Sequence, residues 1–267
     1  MHDTALTVSV PLTLGVGALA LLYFRGWVRK APAQPHWGWR LVSFLAGLLV
    51  LWTAVGSPLS SLDHHLLSFH MLQHVLLINL CAPLLLLGAP FAVLAAAVPR
   101  EVARRALRGL TSPASRFLTH PCVTWLFAAT VVLGWHVPGV LALTLHSPFW
   151  HAVQHASFLL AGLLFFWPVV LPWPAAATWP RWALPLYLFL ATLPCDVLAA
   201  FLAFSGRVVY PHYLEAQAGS SVTALGDQAT AGALMWCAVT IGYLLPAVFI
   251  TLQLLQPRER ASPVVAS

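Results

Sequence analysis

Residues 66–88 read LLSFHMLQHVLLINLCAPLLLLG, a run that only a membrane-spanning helix accommodates. It contains no Asp, Glu, Lys or Arg, and a helix of about 20 apolar residues, rising 1.5 Å at each, crosses the roughly 30 Å of hydrocarbon in a bilayer. Six further runs of the same kind lie on either side, at roughly 5–24, 40–57, 121–142, 149–171, 182–204 and 228–254. Composition agrees. Hydrophobic residues make up 60% of the 267, charged residues only 7%, and the mean hydropathy is +0.83, whereas about a quarter of a soluble domain is charged. The expected fold is an all-α integral membrane protein, a single seven-transmembrane-helix bundle over residues 1–255, followed by a mobile cytoplasmic C-terminal tail at 256–267. The first run lacks the basic flank and cleavage site of a secretory signal, and is expected to be retained as a span.

A net charge of +6 in a soluble protein would suggest nucleic acid. Here the cations set topology instead, and no nucleic-acid partner is expected. Arg25, Arg29, Lys30 and Arg40 follow the first run, Arg100, Arg104, Arg105, Arg108 and Arg116 the third, and Arg181 the fifth; Arg258 and Arg260 lie in the tail, leaving Arg207 alone at the other end. The positive-inside rule then puts the N-terminus outside and the C-terminus in the cytoplasm. The four cysteines, Cys81, Cys122, Cys195 and Cys237, stand singly within apolar runs, which indicates neither a disulfide framework nor a thiolate cluster.

Within this frame one pattern repeats. His65, His70 and His74 have the same spacing of five and four as His146, His151 and His155, and a glutamine, Gln73 or Gln154, precedes each last histidine. The copies enter the third and fifth spans, which run in the same direction, so a parallel repeat is expected. Residues four apart share one helix face. His70 with His74, and His151 with His155, each present two imidazoles to a neighbour, with His74 and His155 about 6 Å deeper. His64, His65 and His146 belong to the mouth above, and His136, near the end of the outward-running fourth span, reaches a similar level. Imidazole is the commonest protein ligand for zinc, copper, iron and nickel. His70, His74, His151 and His155 are therefore the expected metal ligands, with His65, His136 and His146 as entry or auxiliary ligands. A single intramembrane histidine more often bonds across helices and serves as packing; the matched pairs are what favour a metal.

Asp196, within the sixth span, and Asp227, opening the seventh, are acids at membrane depth, and either could hold a ligand histidine in one tautomer. Asp227 has the competing role of helix cap. Met71 and Met235 are thioethers, which beside imidazole favour copper as Cu(I), although each is also ordinary packing material. Pro138 and Pro194 are expected to kink their spans, and Gly232 to permit a close crossing.

Three familiar readings fail. A retinal protein needs a lysine in its last helix, and the only lysine is Lys30. A zinc protease needs H-E-x-x-H, and neither repeat contains an acid. Membrane di-iron desaturases carry similar histidine pairs, but theirs face the cytoplasm. Two alternatives remain open: a haem-binding or quinol-linked redox protein with one histidine from each of the two spans on one iron, and a metal permease.

His70-Met71-Leu72-Gln73-His74 running into Ala82-Pro83 and Gly88, Trp135-His136-Val137-Pro138, His151-Ala152-Val153-Gln154-His155, Tyr210-Pro211-His212-Tyr213, and Asp227-Gln228 through Met235-Trp236 together resemble the polytopic CtaG-type cytochrome c oxidase assembly factor family. The resemblance runs from about Trp52 to Tyr243, and departs from the family in having Ala82-Pro83 where two prolines are frequent. It implies an accessory protein of the bacterial cytoplasmic (cell inner) membrane, not an enzyme, that helps mature a haem-copper oxidase by handling copper at the outer face. Its expected partners are oxidase subunits or a copper-carrying protein.

Overall fold

In the computed structural model, which describes residues 8–30, 37–171, 174, 179–217 and 221–256, every regular element among the described residues is helical. A backbone in hydrocarbon has no water to bond, and a helix satisfies its own polar groups. The expected tail, with Arg258 and Arg260, and His2 and His36 lie outside the described residues.

The long helices are α1 (Val10–Lys30), α2 (Gly38–Gly56) and α3 (Leu67–Leu87). Short helices α4 (Pro90–Ala97), α5 (Arg100–Leu110) and α6 (Pro113–Leu118) carry the arginine-rich loop. Then follow α7 (Pro121–Trp135), α8 (Pro138–His146), α9 (Pro148–Val170), α10 (Leu184–Phe204), α11 (His212–Ala216) and α12 (Ala224–Leu255). Among the described residues six helices are long and apolar enough to cross a membrane, and α7 with α8 brings the number to seven if the bent pair counts as one span.

That pair is where the kink expected at Pro138 falls, and it extends the fourth helical run from 121–142 to 121–146. The chain turns by 75° between α7 and α8. Pro138 lacks an amide hydrogen and pushes the residue before it out of the helical region, and Val137 is indeed extended (φ −64°, ψ 125°). The break leaves the last carbonyls of α7 without helical partners. His136 takes up one of them, its ring Nδ1 lying 2.6 Å from the Val132 oxygen, while its own carbonyl accepts a hydrogen bond from the Tyr210 hydroxyl at 2.9 Å. The kink thus holds His136 through its ring and through its main-chain carbonyl.

Two glycines set close helix approaches, and one of them lies between the two helices that carry the histidine pairs. A Cβ on Gly162 of α9 would lie 2.7 Å from Ala82 Cβ and 2.8 Å from the Ile78 oxygen of α3, so only glycine lets α9 close on α3. A Cβ on Gly232 of α12 would lie 2.7 Å from the Ala199 oxygen and the Ala203 nitrogen of α10, the close crossing expected from the sequence. Below His74, α3 widens into a π-helical stretch, Leu76–Cys81, before its last turn; such bulges recur beside functional sites.

Candidate metal centre

α3 and α9 both begin at the same end of the bundle, and their histidine pairs face each other. The rings of His70 and His151 stack with centroids 5.7 Å apart; one turn deeper those of His74 and His155 are 6.1 Å apart. Along each helix the spacing is 4.5 Å for His70 and His74, and 4.3 Å for His151 and His155. His136 joins from the α7–α8 break, 6.0 Å from His74. Five of the seven histidines singled out by sequence therefore converge. The other two do not. His65 and His146 are exposed at the rim, His146 being paired with the ring of His212 at 5.9 Å, and only the main-chain carbonyl of His65 makes a contact inward, to Gln217.

A residue absent from the expected set takes their place. Asp63, in the 3₁₀ turn Pro58–His64 ahead of α3, is 1% exposed and lies with one carboxylate oxygen 3.1 Å from His151 Nε2 and the other 3.7 Å from His64 Nε2. One ligand atom each from Asp63, His70 and His151 lies within 4.8 Å of the other two. Asp63 and His151 are close without being aligned for a hydrogen bond. Burial pulls the Asp63 carboxyl upward, but His151 beside it, with His64 and His70, outweighs this and holds it below its ordinary value. The available signal in the sequence was composition. Asp63 is one of only seven acids in the chain and sits directly before His64 and His65, but it lies outside the repeat that drew attention.

The polar accounting here is unusual. His70 is fully buried and His74 is 4% exposed, yet both nitrogens of both rings lack a hydrogen-bond partner, as do His151 Nε2 and both Asp63 oxygens. Buried polar groups are nearly always paired, and leaving one unpaired costs about 1–3 kcal/mol. Such a set of converging lone pairs is what a cation would satisfy. The surroundings are close-packed: Phe158 stacks on His74 at 4.0 Å. A cavity of about 560 Å³, lined by Lys30, Trp37, Trp39 and Arg40, lies at the opposite, arginine-bearing end.

Of the remaining predicted residues, Asp227 and Gln73 hold candidate ligands in place. Asp227 is a cap, but not of its own helix, which Thr223 caps through its hydroxyl to Gly226 N. Its carboxylate accepts from the main-chain N–H groups of Leu67 (2.6 Å) and Ser68 (3.3 Å), the first turn of α3, and from Gln217 Nε2 (2.9 Å). A negative charge across the bundle thus satisfies the free amides and meets the positive end of the helix bearing His70 and His74. Gln217 Nε2 also donates to the His65 carbonyl, Tyr213 donates to the Asp63 carbonyl at 2.9 Å, and Gln228 ties down Val209 N and the Leu202 and Arg207 carbonyls. Gln73 accepts from His155 Nε2 at 3.2 Å and donates to the Ser60 carbonyl at 3.1 Å. Gln154, the matching residue, is fully buried with both amide atoms unpartnered. Met71 lies 3.1 Å from His136 Nε2; Met235 packs in the same apolar cluster as Met71, with Leu67, Ala199 and Tyr210. Asp196 is not brought to the site: one carboxylate oxygen is buried without a partner, and no hydrogen bond or ion pair joins it to a histidine among the described residues.

Fold and site together define a class, a polytopic helical membrane protein with a cage of buried imidazoles and one carboxylate near one end of its bundle. Within that class the chain belongs to the cytochrome c oxidase caa3 assembly factor family (Caa3_CtaG), whose model matches residues 21–256. It is 25% identical over 257 residues to an uncharacterised protein of Mycobacterium leprae, covering 91% of this chain and 37% of that protein. It is 26% identical over 263 residues to an uncharacterised protein of Mycobacterium tuberculosis, covering 93% and 38%. The chain thus spans less than two-fifths of the length of the curated relatives it matches. No solved structure matches it.

Proposed function

We propose that this chain is an accessory factor in cytochrome c oxidase assembly that binds copper in its histidine cluster and delivers it to an oxidase subunit, working at the outer face of a bacterial cytoplasmic membrane. The observation that carries the reading is the pair of buried rings, His70 and His74, with four unpartnered nitrogens between them. A structural histidine would have found partners in the surrounding helices. Their neighbours, His151, His155 and Asp63, complete a donor set of imidazole and carboxylate that suits a first-row ion. Family membership supplies the choice of copper, the metal that a haem-copper oxidase must acquire. Phe158 packed on His74 at 4.0 Å favours an ion over a macrocycle such as haem. Copper is cargo here, and no bond-making step is assigned to the protein.

The test is Cu(I) titration of the purified full chain in detergent against a chromophoric chelator. Wild type is expected to compete for copper, and the variant with His70, His74, His151 and His155 all changed to Asn to lose that ability while eluting as the same species in gel filtration. Undiminished binding by the folded quadruple variant overturns the assignment.

A further inference from the structure

The cluster divides by chemistry as well as by depth. At the upper level Asp63, His70 and His151 present a carboxylate oxygen and two imidazoles within 4.8 Å of one another, a set suited to a borderline or harder ion. Four residues further along α3, about 6 Å deeper, the donors change character. His136 Nδ1 lies 2.6 Å from the Val132 carbonyl, which can only accept, so Nδ1 carries the proton of the neutral ring and Nε2 is a bare lone pair. That nitrogen faces Met71 Sδ at 3.1 Å, and a thioether has no hydrogen to give. Two buried acceptors therefore confront each other. An ion about 2.0 Å from a nitrogen and about 2.3 Å from a sulfur would bridge this gap at an angle of about 90°.

The neighbouring rings are prepared in the same sense. Because the Ser60 carbonyl takes the amide N–H of Gln73, the Gln73 oxygen faces His155 and fixes the proton on His155 Nε2. His155 Nδ1 is left as the lone pair. His74, with neither nitrogen partnered, has its centroid 6.0 Å from that of His136 and 6.1 Å from that of His155. Two imidazoles on opposite sides of one ion have centroids about 6 Å apart, a spacing that fits one of these rings across from His74, while the other would have to close by about 1 Å. Packing alone accounts for a buried Met71; it does not account for a lone-pair nitrogen aimed at the sulfur.

We propose that the cluster is two metal centres in series: an upper one of Asp63, His70 and His151, and a lower, softer one of His136 and Met71 with His74 and His155, which takes copper as Cu(I). His70 and His74, 4.5 Å apart on one helix, are the step between them. This rests on the copper-binding reading above and adds a second ion and an order of hardness.

Anaerobic loading of the full chain with Cu(I) and with Zn(II) as a borderline probe of the upper site, counted by metal analysis and read by X-ray absorption, tests it. Wild type is expected to hold two ions with a sulfur shell about 2.3 Å from copper. Met71→Leu, nearly isosteric, should lose that shell and bind its second ion more weakly, by at least the roughly 10- to 100-fold that loss of even an outer-shell partner costs. Asp63→Asn should weaken one ion and leave the sulfur shell intact. A single ion removed by Asp63→Asn, with no sulfur shell in wild type, overturns the second centre while leaving the copper reading standing; no bound copper in wild type overturns both. If Met71→Leu does not fold, the wild-type sulfur shell still decides.

Discussion

Replacing Asp227 separates a cap from a ligand. Its carboxylate is 4% exposed and accepts three hydrogen bonds, from Leu67 N, Ser68 N and Gln217 Nε2. Asp227→Ala removes a helix cap, worth about 0.5–2 kcal/mol, and strands buried donors at about 1–3 kcal/mol. These overlap, and the expected loss is about 2–4 kcal/mol. For a chain of this size that lowers Tm by about 5–15 °C. His70 lies three residues inside the capped turn, so fraying of that turn also displaces a ligand, and copper affinity should fall with stability. Asp227→Asn keeps an acceptor oxygen and should recover most of the loss in both. The assays are thermal melting in detergent and Cu(I) competition on the same preparations. Copper binding abolished in Asp227→Asn at unchanged Tm would make Asp227 a ligand and refute the capping argument; an Asp227→Ala variant as stable as wild type would refute it from the other side.

Three further outcomes follow from the same geometry. His65→Ala and His146→Ala, at exposed rim positions, should leave Cu(I) affinity within about twofold of wild type, surface changes being worth about 0.5 kcal/mol or less; loss of binding in either would restore it to the ligand set. Gly232→Val should sharply reduce folded yield, because its Cβ meets α10 backbone at 2.7 Å, whereas Gly17→Ala, with nothing within 4 Å, should express as wild type does. Copper should raise Tm in proportion to its differential binding, about 2.7 kcal/mol at a hundred times Kd; the rise should disappear when His70, His74, His151 and His155 are all changed to Asn, and its persistence would place the ion elsewhere.

Much was legible before any coordinates. Apolar runs of membrane-spanning length read as helices because hydrocarbon leaves the backbone no alternative, and a repeat of five and four put two pairs of imidazoles on two helix faces because an α-helix returns to one side every 3.6 residues. Both are local periodicities. Pro138 signalled a kink, but its 75° extent, which makes His136 a ligand candidate and divides the fourth span, depends on what receives the freed carbonyls. His65 and His146 stand exposed at the rim, apart from the converging five, because matched spacing says nothing about exposure beyond the first turn of a helix.

Spacing and motifs along one chain were enough for the helical membrane architecture, the resemblance to the family and the placing of four histidines on two helix faces. The partners across the bundle came only with the packing of the helices. Asp63 enters the cluster through a 3₁₀ turn, Asp227 caps a helix 160 residues away in sequence, and a thioether meets a bare imidazole nitrogen from another helix. Those contacts arise where separate helices close on one another, and no periodicity within a single segment encodes which side chains then meet.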